Sequence, residues 1–273
     1  EKHLHAFPLV LNGGIRLEHQ KISIQSPSPY DDEGISLSAG AIYQLSDRHS
    51  FRLALARSSR QPNSTELYAN GPHAATRQFE IGSDSLNEEN AHSIDMSYLW
   101  DHSLISDAVT AFYNRIDDYI FANPTLDERD GFQVFEYSQT NAEWKGVEYS
   151  ITNHWMDKPH ASLHTTLFGD WVDAKTTSGD PLPRIPPARL GLRLNYSTST
   201  WDTEMEAIHA FAQNETPSTE FPTRAYTLGN ISLRRTWQRE HSEWYILLRL
   251  ENVLDEEIRH HTSPIKDLAP APG

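Results

Sequence analysis

The sequence contains no cysteine, which excludes disulfide frameworks, thiolate zinc knuckles and thiol nucleophiles. It has no apolar run approaching the roughly 18 residues of a transmembrane helix, so a helical span is excluded as well. A membrane is not excluded, because barrel strands alternate and leave only a weak hydropathy signal. Positive charge is also scarce: 23 Lys and Arg stand against 38 Asp and Glu, a formal net charge of -15, and the basic residues do not cluster. Nucleic acid is therefore disfavoured as a partner, since phosphate neutralisation needs a basic face. A cationic ligand suits such a chain better. The first residue is Glu1 and no charged-then-apolar leader follows it, so the expectation is either a processed leader or an internal piece of a longer chain.

What is present argues for an ordered chain: 7 Trp, 11 Tyr and 10 Phe among 273 residues, enough for one large domain or part of something larger. Period-two alternation recurs from end to end, and helical periodicity almost nowhere. In RLGLRLNY, residues 189–196, Leu190, Leu192, Leu194 and Tyr196 share one face and Arg189, Gly191, Arg193 and Asn195 the other. WDTEMEA at 201–207 and EWYILLRLE at 243–251 repeat the pattern. Charged residues on the second face need water there, which a packed sandwich core does not offer.

Eleven strands are expected, at about 7–24, 35–45, 50–59, 90–100, 105–121, 143–155, 160–173, 188–197, 200–212, 223–236 and 243–252. Many reach ten residues, longer than the usual 5–6 and close to the roughly 9–11 a tilted membrane strand needs. The connections alternate without exception: QSPSPYDDEG long, SDRH short, 61–89 long, DHSL short, 122–142 long, MDKP short, KTTSGDPLPRIPP long, STS short, QNETPSTEFP long, QREHS short and 253–273 long. Short turns on one rim and long loops on the other describe an outer-membrane barrel. Tyr43, Trp100, Tyr119, Trp144, Trp155, Trp171, Trp201, Trp237 and Trp244 lie near strand ends, where they would form interfacial girdles or simply reflect the liking of strands for aromatic residues. The fold class is thus all-β, an antiparallel transmembrane β-barrel.

Several stretches resemble TonB-dependent outer-membrane receptors. In 57–98 a strand runs into Arg60-x-Pro62-x-x-x-Glu66-Leu67-Tyr68, and the next strand begins after Leu86-x-x-Glu89. NAEWKGVEYS at 141–150 is similar to the Ala-x-x-x-Gly-Val-Glu strand start of that family, and LPRIPPARLGLRLNY at 182–196 to its Pro-rich entry into a later strand. The ending ENVLDEEIRHHTSPIKDLAPAPG, 251–273, resembles the last extracellular loop, in wording closest to the zinc-uptake branch. The resemblance covers essentially the whole chain. It implies a 22-stranded type of barrel with a plugged lumen, of which about eleven strands are counted, so residues 1–273 are expected to be the truncated C-terminal portion, with plug domain and final strand outside it. It further implies outer-membrane lipid as surroundings, the TonB complex as a partner through the plug, and a metal ion or small metal chelate as cargo. No cofactor is expected; zinc enters as a transported substrate. A siderophore or haem cargo is the alternative within the family.

The sequence holds 14 His, and without thiolates zinc favours imidazole and carboxylate ligands. His73 in the longest loop lies near Glu66 and Glu80, and His260 and His261 sit on the last loop, so these five are the candidate metal residues, all expected on the extracellular side. Adjacent His260 and His261 should point apart unless the loop bends. Solvated surface histidines are the plain alternative. His160, His164 and Asp170 share the inward parity of one strand, where hydration of a polar lumen explains them as well as a cation relay, while His209 falls on the lipid parity. Arg57, Arg60 and Glu66 are expected to pair and order the loop base, and Gly71-Pro72 reads as a turn. An outer-membrane barrel hydrolase is the competing class, since Ser58, Ser59, His73 and Asp84 assemble on paper. No nucleophile elbow or HExxH supports it. A soluble propeller lacks its blade repeat.

Overall fold

Alternating sequence becomes alternating structure. A computed structural model describes residues 8–22 and 29–271. In chain order it forms β1 (Leu9–Ile22), β2 (Tyr30–Ser46), β3 (His49–Arg60), a short helix α1 (Ser64–Tyr68), β4 (Asn70–His73), β5 (Gln78–Ile81), β6 (Glu89–His102) and β7 (Ile105–Arg129). There follow β8 (Phe132–Lys158), β9 (Ala161–Thr176), β10 (Arg189–Thr198), β11 (Trp201–Ala210), β12 (Tyr226–Arg239) and β13 (Ser242–Leu250). Eleven long strands pair antiparallel in the order β1-β2-β3-β6-β7-β8-β9-β10-β11-β12-β13, so each of the eleven expected strands is present. The sheet is open, the wall of a truncated barrel. Positions 7, 23–28 and 272–273 of the expected elements lie outside the described residues.

Register fixes the two faces. Leu55 opposes Ile94, Ile94 opposes Tyr113, Leu167 opposes Leu192 and Leu192 opposes Ala207, so the apolar sets of successive strands fall on one side. That side is exposed, with Ile94, Leu192 and Leu248 among its uncovered residues. An apolar band of this extent is stable against lipid rather than water. The opposite side is polar, and its charges pair across strands: Arg189 with Asp170 at 2.8 Å and Arg193 with Glu206 at 2.6 Å.

The aromatic residues divide by rim. Phe51, Tyr98, Trp100, Trp155, Trp201, Trp237 and Trp244 lie on strands entering or leaving the short turns; Trp237 opposes Trp244, and Arg235 stacks on Trp201 and Trp237 at 4.9 and 4.8 Å. They form a girdle there, suited to a membrane–water interface. Tyr119 and Trp144 do not belong to one, because they pack at the loop end against buried Ala142, Ala174, Leu182 and Ile185.

Two connections differ from expectation. The loop expected at 122–142 is a β-ribbon: β7 and β8 continue to a turn at Asp130-Gly131, whose φ values of 53° and 77° are those of a tight hairpin turn. Asp-Gly was the local signal for it. The connection after β3 is folded as well, with β5 pairing in parallel to β8 (Phe79 opposite Val134) and β4 antiparallel to β5. Gly71-Pro72 is part of β4, and the reversal falls at 74–77. Proline is tolerated because β4 is an edge strand pairing β5 alone.

Candidate functional site

Among the described residues, the buried apolar ones lie at the loop rim, not in the middle of the wall. Leu67, Leu86 and Ile120 form one cluster, joined by Ile22, Tyr30, Tyr68 and Tyr137; Ala142, Ala174, Leu182 and Ile185 form another. The long loops are therefore a packed cap rather than a solvated fringe, and side chains on it are held in place.

Helix α1 positions Glu66. Asn63 is its N-cap, its side chain accepting from the Thr65 and Glu66 N–H groups at 2.8 and 3.0 Å, while the Glu66 carboxylate accepts from the Asn63 N–H at 2.8 Å. Arg60 closes the arrangement, donating to Glu66 at 2.9 Å and to Glu89 at 2.5 Å. The pairing expected at the loop base is present for Arg60 and Glu66; Arg57 instead donates to Asn90 at 2.9 Å. Glu66 is thus fully engaged in capping and ion pairing. His73, on the exposed edge of β4, meets Glu80 of β5: its Nδ1 lies 3.2 Å from Glu80 Oε1 and 2.9 Å from Thr76 Oγ1. His73 and Glu80 form a pair open to solvent on the His73 side, and Glu66 stands apart from it.

The last loop separates its two histidines. His260 Nδ1 lies 3.0 Å from the Tyr226 hydroxyl, at the surface. His261 turns inward, with Nδ1 3.0 Å from Thr223 Oγ1 and Nε2 3.5 Å from Glu220 Oε2. The cation beside this pair is the Lys266 ammonium, 2.5 Å from Glu220 Oε1. His261 and Lys266 are buried and Glu220 is partly buried, and Glu220 also accepts from the Arg184 N–H at 2.9 Å. Burial alone would raise the Glu220 pKa, but hydrogen bonds from His261, Lys266 and Arg184 hold it at about 2. This ionic knot ties the last loop to the β11–β12 connection. Beside it opens a cleft of about 350 Å³ whose lining includes Arg77, Arg184, Phe132, Phe135, Phe221 and Lys266.

Sequence reading missed two features of this rim: the knot, since Glu220 and Lys266 carry no motif, and the cleft, which five separate connections build. The strand parities it assigned agree with the pairing, which places His164 opposite Asn195 and Asp170 opposite Arg189, and His209 opposite Leu190 on the apolar face. His160 sits in the β8–β9 turn.

The family model described as TonB dependent receptor-like, beta-barrel, matches residues 4–253. The chain belongs to this family. Its members are bacterial outer-membrane receptors and not enzymes, which removes the hydrolase reading. Among solved structures, a copper transporter, OprC, superimposes with a TM-score of 0.75 at 17% identity, covering 96% of this chain and 43% of that one. The siderophore receptor PirA from Pseudomonas aeruginosa gives 0.62 at 17% identity, covering 93% and 43%. An FrpB iron transporter from Neisseria meningitidis gives 0.64 at 14%, covering 94% and 40%. The chain therefore spans well under half the length of these receptors, and at such identities they share its fold. In a TonB-dependent barrel the short turns face the periplasm and the long loops the outside, so the polar face lines the lumen and the packed cap faces the medium.

Proposed function

We propose that this chain is the C-terminal barrel portion of a receptor that takes zinc or another metal species across the outer membrane, energised by the TonB complex through a plug domain elsewhere in the protein. The observation that carries the metal assignment is the His73–Glu80 pair, an imidazole and a carboxylate 3.2 Å apart on the extracellular rim. Both are ligand types that zinc accepts, and two protein ligands leave room for others from water or the plug apex. The pair is held by β4–β5 pairing and by β5 on the β8 ribbon, so its geometry is set before cargo arrives. In cells expressing the intact receptor, zinc accumulation should depend on TonB and fall several-fold with His73→Ala. Accumulation unaffected by loss of TonB would overturn the transport reading.

A second reading, uptake of a metal as an anionic aromatic chelate, draws on the neighbouring cleft. Arg77 and Arg184 there supply positive charge beside Phe132, Phe135 and Phe221, a combination suited to stacking and charge-assisted binding. Uptake of a ferric siderophore that is lost with Arg77→Ala and indifferent to His73→Ala would favour it.

A further inference from the structure

We propose a second metal site at the opposite end of the wall, in which His154, Asp157 and His164 hold one divalent ion of borderline softness, zinc or copper(II). Among the described residues this is the group of three whose ligand atoms all lie within 4.8 Å of one another. It stands on the lumenal face beside the β8–β9 turn, at the periplasmic mouth, and is independent of the loop-rim reading.

Backbone geometry brings the three together. His154 and His164 are directly opposed on β8 and β9, their rings 4.6 Å apart. Asp157 follows His154 by three residues and in a regular strand would point to the other face. A bulge between His154 and Met156 shifts the parity, pairing Asp157 with Ser162 and returning it to the lumenal side. Its carboxylate then lies 3.9 Å from His154 Nδ1 and 3.4 Å from His164 Nε2. Tetrahedral zinc with bonds of about 2.0–2.2 Å sets its ligands roughly 3.4 Å apart, close to both carboxylate distances, so side-chain adjustment within the 4.8 Å spread of the set closes it around an ion, with water as fourth ligand.

Two further observations point to an ion. His154 Nδ1 and His164 Nε2 are both shielded from solvent and have no hydrogen-bond partner, a state buried polar atoms seldom occupy. The tautomer of His154 is also prepared. Ser106 Oγ donates to Asp101 Oδ1 at 3.1 Å and lies 3.0 Å from His154 Nε2. With its own proton given to Asp101, the hydroxyl accepts from Nε2–H, which leaves the lone pair on Nδ1, facing Asp157. Outer partners of this kind orient metal-binding imidazoles.

The test is a cobalt(II) and zinc titration of the intact, detergent-solubilised receptor after chelator treatment, followed by the visible absorption of cobalt and by equilibrium dialysis of zinc. The wild type is expected to bind a cobalt ion with the strong absorption of a four-coordinate site, displaced by zinc. His164→Gln should remove that absorption and one equivalent of zinc, Ser106→Ala should weaken binding about 10–100-fold, and His73→Ala should leave the absorption in place. A wild type without the absorption, or a His164→Gln receptor that keeps it, overturns the proposal. So does its loss with His73→Ala, which would place the ion at the loop rim. Retention of the heat-resistant barrel band on electrophoresis separates ligand loss from misfolding.

Discussion

Lys266 has a buried ammonium, and Glu220 and His261 are the groups that make it tolerable. A buried ion pair adds little net stability, yet removing one partner strands the other and costs about 3–5 kcal/mol. Glu220→Ala should therefore loosen the last loop, read as lost hydrogen-exchange protection over 256–268, without disturbing the wall. The pH response follows from the same carboxylate. Its folded pKa of about 2 lies below the ordinary 4.5, so its contribution is complete above pH 4.5 and is lost as pH falls toward 2. Protection of that segment, corrected for intrinsic exchange, should hold down to about pH 4.5 and decline below it, and in Glu220→Ala this decline should vanish. A wild-type loop whose protection does not change over that range would remove Glu220 from the role given to it. The candidate metal residues differ in the same local terms: Glu66 is engaged by Arg60 and its helix cap, His261 by Thr223 and Glu220, whereas His73 keeps one side open. His260 meets Tyr226 at the surface.

Among elements, the β7–β8 ribbon carries most of the cap, since β5 adds to its edge and Ile120 and Val134 are buried along it. Its turn requires positive φ at Asp130 and Gly131. A β-branched residue in that region costs roughly 1–2 kcal/mol, so Gly131→Val should accelerate hydrogen exchange across 122–140 and leave the wall segment 105–116 protected. Equal acceleration in both segments would show that the ribbon and wall are one cooperative unit. The eleven wall strands were legible because one face meets lipid and the other water, which stamps an unbroken period of two on the sequence. The ribbon was not, because bulges between Ile116 and Tyr119 and between Pro124 and Glu128 reset the alternation twice. The same physics hid the turn-rim cluster. His164 was visible on the lumenal parity, but His154 and Asp157 share a face only through an extra residue in β8 that alternation does not announce. At the loop rim, His73 and Glu80 were near in sequence and meet across a hairpin, while the cleft needed contacts between segments more than a hundred residues apart.

At the scale of the whole molecule, β1 and β13 each pair on one side only among the described residues and the apolar face is exposed, an arrangement suited to a bilayer and open to further pairing at both edges. The lumenal face then runs from the packed cap outside to the His154–Asp157–His164 cluster at the periplasmic end. The outer end is the proposed capture point for a metal species. The decisive measurement is calorimetric titration of the intact receptor with zinc, in a His164→Gln background so that the periplasmic cluster contributes nothing. Saturable zinc binding is expected, weakened at least about tenfold by His73→Ala, a difference of roughly 1.4 kcal/mol. Absence of zinc binding together with tight binding of a ferric siderophore would contradict it.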